Sequence, residues 1–321
     1  MNKDLLYLKK LFSKPFRAKR AGGQTNRNYV VSFKARKLFV RLPWESVLDR
    51  TIEGKNILLL SRNQKVQRIL PKYFIYVLSK RNILNIKDKN RYNVPDGTMV
   101  AEYIAGREFT VKDFRQKEYQ RRLVKTLGVF HTSGVRLVNG YDVFRDEVAK
   151  YRVAVEKYPA TKVVSRKILA DIRKIEREAK KRLPLSKKGI STHNDFLLQN
   201  FLVGPKKRMC LLDFEYAGFN VRGGMLYDFG FFFADNLFRK PAITKKLFEE
   251  FLGVVEREYK RCFNRRQIYW CAVAALLVQV WWGILRYFSA PQKERAYFKQ
   301  YVQKRVEGVL QLYSELKRKE S

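Results

Sequence analysis

The sequence predicts an α+β protein of two lobes, a small β-rich one followed by a larger helical one. Three observations carry that expectation. Residues 28–43 and 69–104 hold short runs rich in Val, Ile, Phe and Tyr, punctuated by turn residues, which is the pattern of strands. From Ile104 onward the apolar residues recur at helical spacing through long segments. The chain has 321 residues, 46% of them hydrophobic and 14% aromatic, enough core for about two domains and too much for a chain disordered throughout. The boundary between lobes falls after residue 103, giving 1–103 and 104–321.

In the first lobe, NYVVSFK and KLFVRLP read as strands on either side of Ala35-Arg36, preceded by the Gly-Gly turn AGGQTN. Asp49 to Arg62 reads as a helix with Ile52, Leu58, Leu59 and Leu60 as its apolar positions. Two more strands, ILPKYFIYV and GTMVAEYI, follow, the second after the turn signal Asn93-Val94-Pro95-Asp96-Gly97. The second lobe is expected to hold helices over Val111–Thr132, Val143–Tyr158, Val163–Arg182, Pro241–Tyr259, Arg265–Phe288 and Lys293–Arg318. A strand-like island, Ile190 to Tyr216, interrupts them. Within the fifth helix, Tyr269 to Leu285 is a 17-residue stretch whose only strongly polar side chain is Gln279. It is shorter than the roughly 20 residues of a bilayer span, so a buried helix at the centre of the lobe is expected.

The charge is unusual. Sixty-eight Lys and Arg against 30 Asp and Glu leave +38, a balance that favours contact with polyanions: nucleic acid, an anionic membrane face or phosphate-rich substrates. The basic residues are spread along the chain and no nucleic-acid motif accompanies them. A composition-wide bias is therefore expected over a dedicated nucleic-acid surface, with peripheral contact to an anionic membrane as a further expectation. Three cysteines without a C-x-x-C, and two histidines, exclude a disulfide framework and a structural zinc site. A reducing, cytoplasmic compartment is expected. The opening MNKDLLYLKKLFSKPF has no uninterrupted apolar stretch and does not read as a secretory signal.

The chemistry concentrates in the island. Ser191-Thr-His-Asn-Asp-Phe-Leu-Leu-Gln-Asn-Phe-Leu-Val places Asp195 and Asn200 five apart between apolar residues, and Asp213 ends the next apolar run, Met209 to Leu212. Gly204-Pro205-Lys206-Lys207 supplies a turn, so a hairpin brings Asn200 and Asp213 back to one end, near Asp195. Two carboxylates and a carboxamide form the hard oxygen set that suits Mg²⁺. Taken singly each residue is more simply a turn or cap. The order, the spacing and the β-rich lobe upstream together match phosphoryl transfer: a first Asp accepting the acceptor's hydroxyl proton, an Asn and a second Asp holding metal on the nucleotide.

His193-Asn-Asp-x4-Asn200, then Leu212-Asp-Phe-Glu-Tyr-Ala-Gly-Phe-Asn220 and Tyr227-Asp228, resembles the choline/ethanolamine kinase family, a branch of the aminoglycoside-phosphotransferase-like, protein-kinase-like group. The likeness extends upstream. Gly22-Gly-Gln-Thr-Asn-Arg-Asn-Tyr29 resembles the family's phosphate-covering turn, a glycine-rich anion nest. Phe39-Val-Arg-Leu-Pro43 resembles its third strand, with Arg41 as the phosphate-contacting base. Leu48-Asp-Arg-x-x-Glu53 resembles the following helix, with Glu53 pairing Arg41. The resemblance implies a protein-kinase-like two-lobe fold and ATP and Mg²⁺ as cofactors. Asp195 is then the catalytic base, and Asn200 and Asp213 are the metal ligands. Gly22, Gly23, Thr25, Asn26, Arg41 and Glu53 hold the nucleotide, with Glu102 and Ile104 at the adenine hinge. His193 and His131 are expected to be structural.

On the acceptor side, Val280-Trp-Trp-Gly-Ile-Leu-Arg-Tyr287 resembles the family's W-G-x-W-like helix, which places Trp282 and Tyr287 in a cation site. Leu285 stands where many relatives carry a second Trp. Asp228-Phe-Gly-Phe-Phe-Phe-Ala-Asp235 resembles D-[IL]-x-x-x-F-x-E, with Asp235 in place of the cation-contacting Glu. Glu215 and Asp228 complete the implied substrate set, beside Asp195 itself; the other readings are contact with metal-bound water or the catalytic loop for Glu215, and orientation of that loop for Asp228. The expected substrate is a small amino alcohol, choline or ethanolamine. Two alternatives stand beside it: a kinase of the same fold for thiamine or an aminoglycoside, and a non-catalytic basic protein on this scaffold that binds nucleic acid or membrane.

Overall fold

The β-branched and aromatic runs of the first hundred residues pair into one antiparallel sheet whose inner face is apolar. The computed structural model describes residues 3–21, 26–34, 36–43, 49–237 and 243–318. The sheet has the order β1-β2-β3-β6-β4-β5, with β1 Arg17–Ala21, β2 Asn26–Ser32, β3 Lys37–Pro43, β4 Tyr73–Leu78, β5 Arg81–Asn82 and β6 Met99–Glu102. Tyr29, Val31, Val40, Leu42 and Val100 alternate inward and cluster with Leu8 of α1 (Lys3–Leu11). Neither α1 nor β1 was evident from periodicity. The basic edge strand β1 is mostly exposed, a charged margin that discourages edge-to-edge pairing.

The chain forms two compact units. The first takes Met1–Phe109, Thr126–Val138 and Gln199–Ala217, a grouping of three segments that a linear boundary cannot express. Its helix α2 (Arg50–Arg62) starts at Asp49, whose carboxylate accepts the N–H groups of Thr51 and Ile52. Helix α3 (Gln64–Gln67) follows. Asn56 of α2 joins the segments: its amide donates to the Ala217 carbonyl at 3.1 Å and accepts the Val138 N–H at 3.0 Å. A second small sheet, β11-β10-β7, pairs Phe201–Val203 (β10) with Met209–Leu211 (β11) and with Arg107–Glu108 (β7).

The second unit takes Thr110–Lys125, Asn139–Leu198 and Gly218–Ser321. The helix expected over Val111–Thr132 is interrupted, forming α4 (Val111–Phe114) and α5 (Lys117–His131). A Thr110–Asp113 capping box starts α4, and Gln120 captures the Phe114 carbonyl at its end. The next expected helix opens as a π-helix, Val143–Ala149, before α6 (Lys150–Glu156). Helix α7 (Arg166–Arg182) precedes β9 (Leu185–Thr192), which begins five residues before the island expected from Ile190. It pairs antiparallel with β12 (Gly218–Arg222), itself parallel to β8 (Gly140–Tyr141).

Four helices complete the unit: α8 (Met225–Asn236), α9 (Lys245–Tyr259), α10 (Arg265–Ser289) and α11 (Gln292–Arg318). Helix α10 packs against α6, α7, α8 and α11. It is long and apolar enough to cross a membrane, but 89% of its most apolar stretch is buried inside the protein, so the buried helix expected from the sequence is what forms. Gly230 permits the close crossing of α8 and α10; a Cβ there would meet the Ala272 nitrogen at 2.6 Å.

Glu147 of the π-helix is buried beside Tyr141 and Tyr227. Burial pushes its carboxyl up to about 7, against the Tyr141 hydroxyl and Lys150. A carboxyl raised on folding contributes stability that is complete below its unfolded value of 4.5 and is lost as pH rises through about 7. Glu147→Gln is therefore expected to flatten the fall in unfolding free energy between those values, measured by urea titration against pH on both proteins.

Candidate active site

The first unit assembles a buried charge network on β3 and α2. Arg41 lies 2.6 Å from Glu53, and Glu53 also receives Arg50 at 2.8 Å and the Tyr76 hydroxyl at 2.8 Å. The Arg41–Glu53 pairing expected from the sequence is thus present, with Arg50 as a second cation on the same carboxylate. Burial disfavours the Glu53 anion, yet Arg41 and Arg50 outweigh it and hold the carboxyl below the usual range. Arg50 reaches on to Asn26 at 2.8 Å and Glu215 at 3.3 Å, and the Asn26 amide donates to Glu215 at 3.3 Å. Glu215, expected among substrate contacts, therefore faces Arg50 and Asn26. Asn26, expected on phosphate, closes the same network.

Arg50 was missed, although it stands inside the motif that pointed to Glu53. Its place three residues before that carboxylate, one helical turn away, is the signal that identifies it.

The expected hairpin is present. β10 and β11 pair antiparallel, and the Leu212 N–H donates to the Asn200 carbonyl at 2.8 Å, setting Asn200 against the residue before Asp213. Asp213 has a left-handed backbone (φ 61°), uncommon outside glycine and tolerated by Asp. Its carboxylate lies 3.9 Å from Arg41 with its side chain 36% exposed. Burial and the Glu53 charge raise its carboxyl against Arg41 and Arg50; burial and Asp213 push Glu215 up to about 7. A carboxamide and a partly exposed carboxylate offer hard oxygen to a cation that takes its other ligands from phosphate and water, so the pair fits Mg²⁺. Among the described residues no three His, Cys, Asp or Glu side chains gather into a metal site.

Glu102 ends β6. Its N–H donates to the Lys72 carbonyl at 2.8 Å and its carboxylate accepts the Lys72 N–H at 3.1 Å. Ile104 follows in irregular chain against Gly204. Gly22, Gly23 and Thr25 lie outside the described residues.

The second unit builds the loop that carries Asp195. β9 delivers Thr192 into His193-Asn194-Asp195, and Asn194 is left-handed (φ 61°). That turn is held from three directions. The Thr192 hydroxyl donates to the Asn194 side-chain oxygen at 2.6 Å, and the Asn220 amide donates to the same oxygen at 3.0 Å. Beneath, the Asp228 carboxylate accepts the N–H of His193 at 3.0 Å and of Asn194 at 2.7 Å. Asp228 is fully buried and grips the loop's backbone, the arrangement of a residue that orients the loop. His193 is fully buried, and Asp195 is half-buried.

Asp228→Asn keeps one carbonyl acceptor and turns an amide NH₂ toward the other N–H. A buried donor then goes unmet, at about 1–3 kcal/mol. The expected result is a lower unfolding midpoint together with reduced kcat and an unchanged KM for nucleotide, checked by thermal melts and steady-state kinetics.

Near the C-terminus of the same unit, Trp282 of α10 is half-buried. It packs edge-on against Phe298 and Tyr301 of α11, with ring centroids 5.8 and 5.5 Å away. Gly283 allows that approach, since a Cβ there would meet Val302 at 2.8 Å. Tyr287 packs instead on Phe288, at 5.0 Å. Five residues separate it from Trp282, which turns it about 140° around the helix. The rings beside Trp282 are thus Phe298 and Tyr301, which periodicity on α10 could not reveal. Burial raises the Tyr301 hydroxyl, and the Asp235 carboxylate adds to the effect. The Arg305 guanidinium lies 3.8 Å from the Tyr301 centroid, and its Nε donates to Gln279 at 3.1 Å.

The choline/ethanolamine kinase family profile matches residues 19–249. The chain belongs to that family. It is accordingly a small-molecule phosphotransferase by class. No individual curated protein matches it in sequence. Its fold is the protein-kinase-like one of solved relatives. The choline kinase LicA from Streptococcus pneumoniae is similar with a TM-score of 0.70 at 18% identity, covering 95% of this chain and 98% of that one. An ethanolamine kinase from Plasmodium vivax scores 0.67 at 17% identity over 96% and 89%. A spectinomycin phosphotransferase, solved with ADP and spectinomycin, scores 0.62 at 14% identity over 97% and 98%.

Proposed function

We propose that the protein is an ATP- and Mg²⁺-dependent kinase of a small amino alcohol, with a primary amine of the ethanolamine type ahead of choline. Asp195 accepts the proton of the acceptor's hydroxyl as that oxygen attacks the γ-phosphorus and ADP departs. Arg41, fixed by Glu53, holds phosphate. Asn200 and Asp213 hold Mg²⁺, which when bound neutralises charge on the nucleotide phosphates. The chemistry rests on positioning and charge neutralisation, with no covalent intermediate on the protein.

The observation that carries the reading is the clamped His193–Asn194–Asp195 turn. Its backbone is fixed by Asp228 and its one strained residue by Asn220 and Thr192, while the Asp195 side chain stays half-buried. Such a loop fixes the backbone from which that carboxylate projects.

On the acceptor side, a quaternary ammonium needs open aromatic faces. Here Tyr301 already carries a guanidinium, and Leu285 stands at the position of a second ring. A primary ammonium, which donates hydrogen bonds to a carboxylate such as Asp235, is favoured on that ground. The test is Mg²⁺-dependent ADP release with ethanolamine, choline, thiamine and spectinomycin. Ethanolamine giving the largest kcat/KM supports the proposal; turnover only with spectinomycin or thiamine moves the chain to another acceptor class. The free thiols Cys210, Cys262 and Cys271 accord with a reducing, cytoplasmic location.

A further inference from the structure

Helix α7 plays no part in the site described above, yet its basic residues gather on one face. At 100° per residue its buried Ile172, Ile175 and Ala179 mark one face. The opposite sector, about 120° wide, holds Arg166, Arg173, Lys174, Arg177, Lys180 and Lys181, all exposed. They span about 22 Å of helix at 1.5 Å per residue. No acid falls in that sector. Of the acids on the helix, Glu176 meets Arg152 at 3.6 Å, Glu178 meets Arg182 at 2.9 Å and Lys317 at 3.7 Å, and Asp171 lies about 60° beyond the edge of the stripe.

The stripe also has a shape. Arg166, Arg173 and Arg177 rim a shallow groove of about 370 Å³, with Leu169 and Ala170 also lining it. Guanidiniums fork onto phosphate oxygens in pairs, while the neighbouring Leu169 and Ala170 offer nothing polar. Arginine beside apolar side chains matches a phosphodiester joined to an apolar body. The sector has no aromatic ring to stack a base and no Asn or Gln to read one.

We propose that the exposed face of α7 docks the protein on an anionic phospholipid surface, the three arginines taking headgroup phosphate and Leu169 facing the glycerol boundary. The attraction is electrostatic and falls within a Debye length of the bilayer, so it is strong at low salt and weak at high salt.

The test is co-sedimentation of the full chain with vesicles of phosphatidylglycerol and phosphatidylcholine, and with phosphatidylcholine alone, at low and high salt. Each basic residue near an anionic surface contributes to partitioning. The R173E/R177E variant is therefore expected to bind anionic vesicles at least roughly tenfold more weakly. R295E/K299E, the same charge change on exposed residues of α11, is expected to lose under about threefold. Both variants should keep kinase turnover and the native circular dichroism spectrum, which separates this proposal from the catalytic one. Equal losses in the two variants, or no anionic-vesicle binding by the parent at low salt, overturn it. So does tighter binding to a single-stranded RNA that R173E/R177E abolishes, which assigns the stripe to nucleic acid.

Discussion

Asp195→Ala is expected to lower kcat about a thousandfold, within the range for losing a positioned general base, while the protein stays folded. The two expectations separate because the loop's backbone is gripped by residues other than Asp195. Asp228 grips the N–H groups of His193 and Asn194, and Asn220 and Thr192 grip the Asn194 amide. Removing a half-buried carboxylate from that frame leaves the frame in place. KM for ATP should stay within a few-fold, since Arg41, Asn200 and Asp213 are untouched. Steady-state kinetics beside a thermal melt checks both parts; near-parent turnover in a folded variant contradicts the role given to Asp195.

Glu53→Ala is expected to produce the largest loss of stability in the first unit. Glu53 is 2% exposed and neutralises two guanidiniums, Arg41 at 2.6 Å and Arg50 at 2.8 Å. Removing one partner of a buried ion pair leaves uncompensated charge and costs about 3–5 kcal/mol. The Tyr76 hydroxyl loses its acceptor as well. Glu53→Gln keeps an oxygen for one donor and should lose less. Because Arg41 is held by this carboxylate, KM for ATP should rise in both variants, by roughly tenfold or more in the alanine form. Urea midpoints and nucleotide titrations measure the two effects. Equal midpoints for the alanine variant and the parent would show that Arg50 and Arg41 find other partners.

Much of the fold was legible because its signals are local. Tyr29, Val31, Val40 and Leu42 alternate along two strands, and Asp49 caps a helix whose Glu53 faces inward. The buried α10 was legible from its length and its lack of charge. The hairpin from Asn200 to Asp213 followed from one Gly-Pro turn between two apolar runs.

What stayed hidden depends on contacts between distant parts of the chain. Asp228 left two readings, a substrate carboxylate and a brace for the catalytic loop, because its grip on His193 and Asn194 joins residues 35 and 34 positions apart. Glu215 looked like a metal or substrate contact because its neighbour Arg50 is 165 positions away. Tyr301 left no trace in α10, the helix it completes. The π-helix at Val143–Ala149 shares its apolar spacing with an ordinary helix start and only the backbone distinguishes it. Helix α1 is nine residues long and four of them are charged, so periodicity had little to register.

The most direct test of the account is to follow transfer of phosphate from ATP to ethanolamine by phosphorus NMR, with Mg²⁺ and with chelator, in the parent and in Asp195→Ala. The account predicts a phosphoethanolamine signal that grows only with Mg²⁺ and only in the parent. A phosphoethanolamine signal of equal rate in Asp195→Ala, or inorganic phosphate as the only product in the parent, would contradict it.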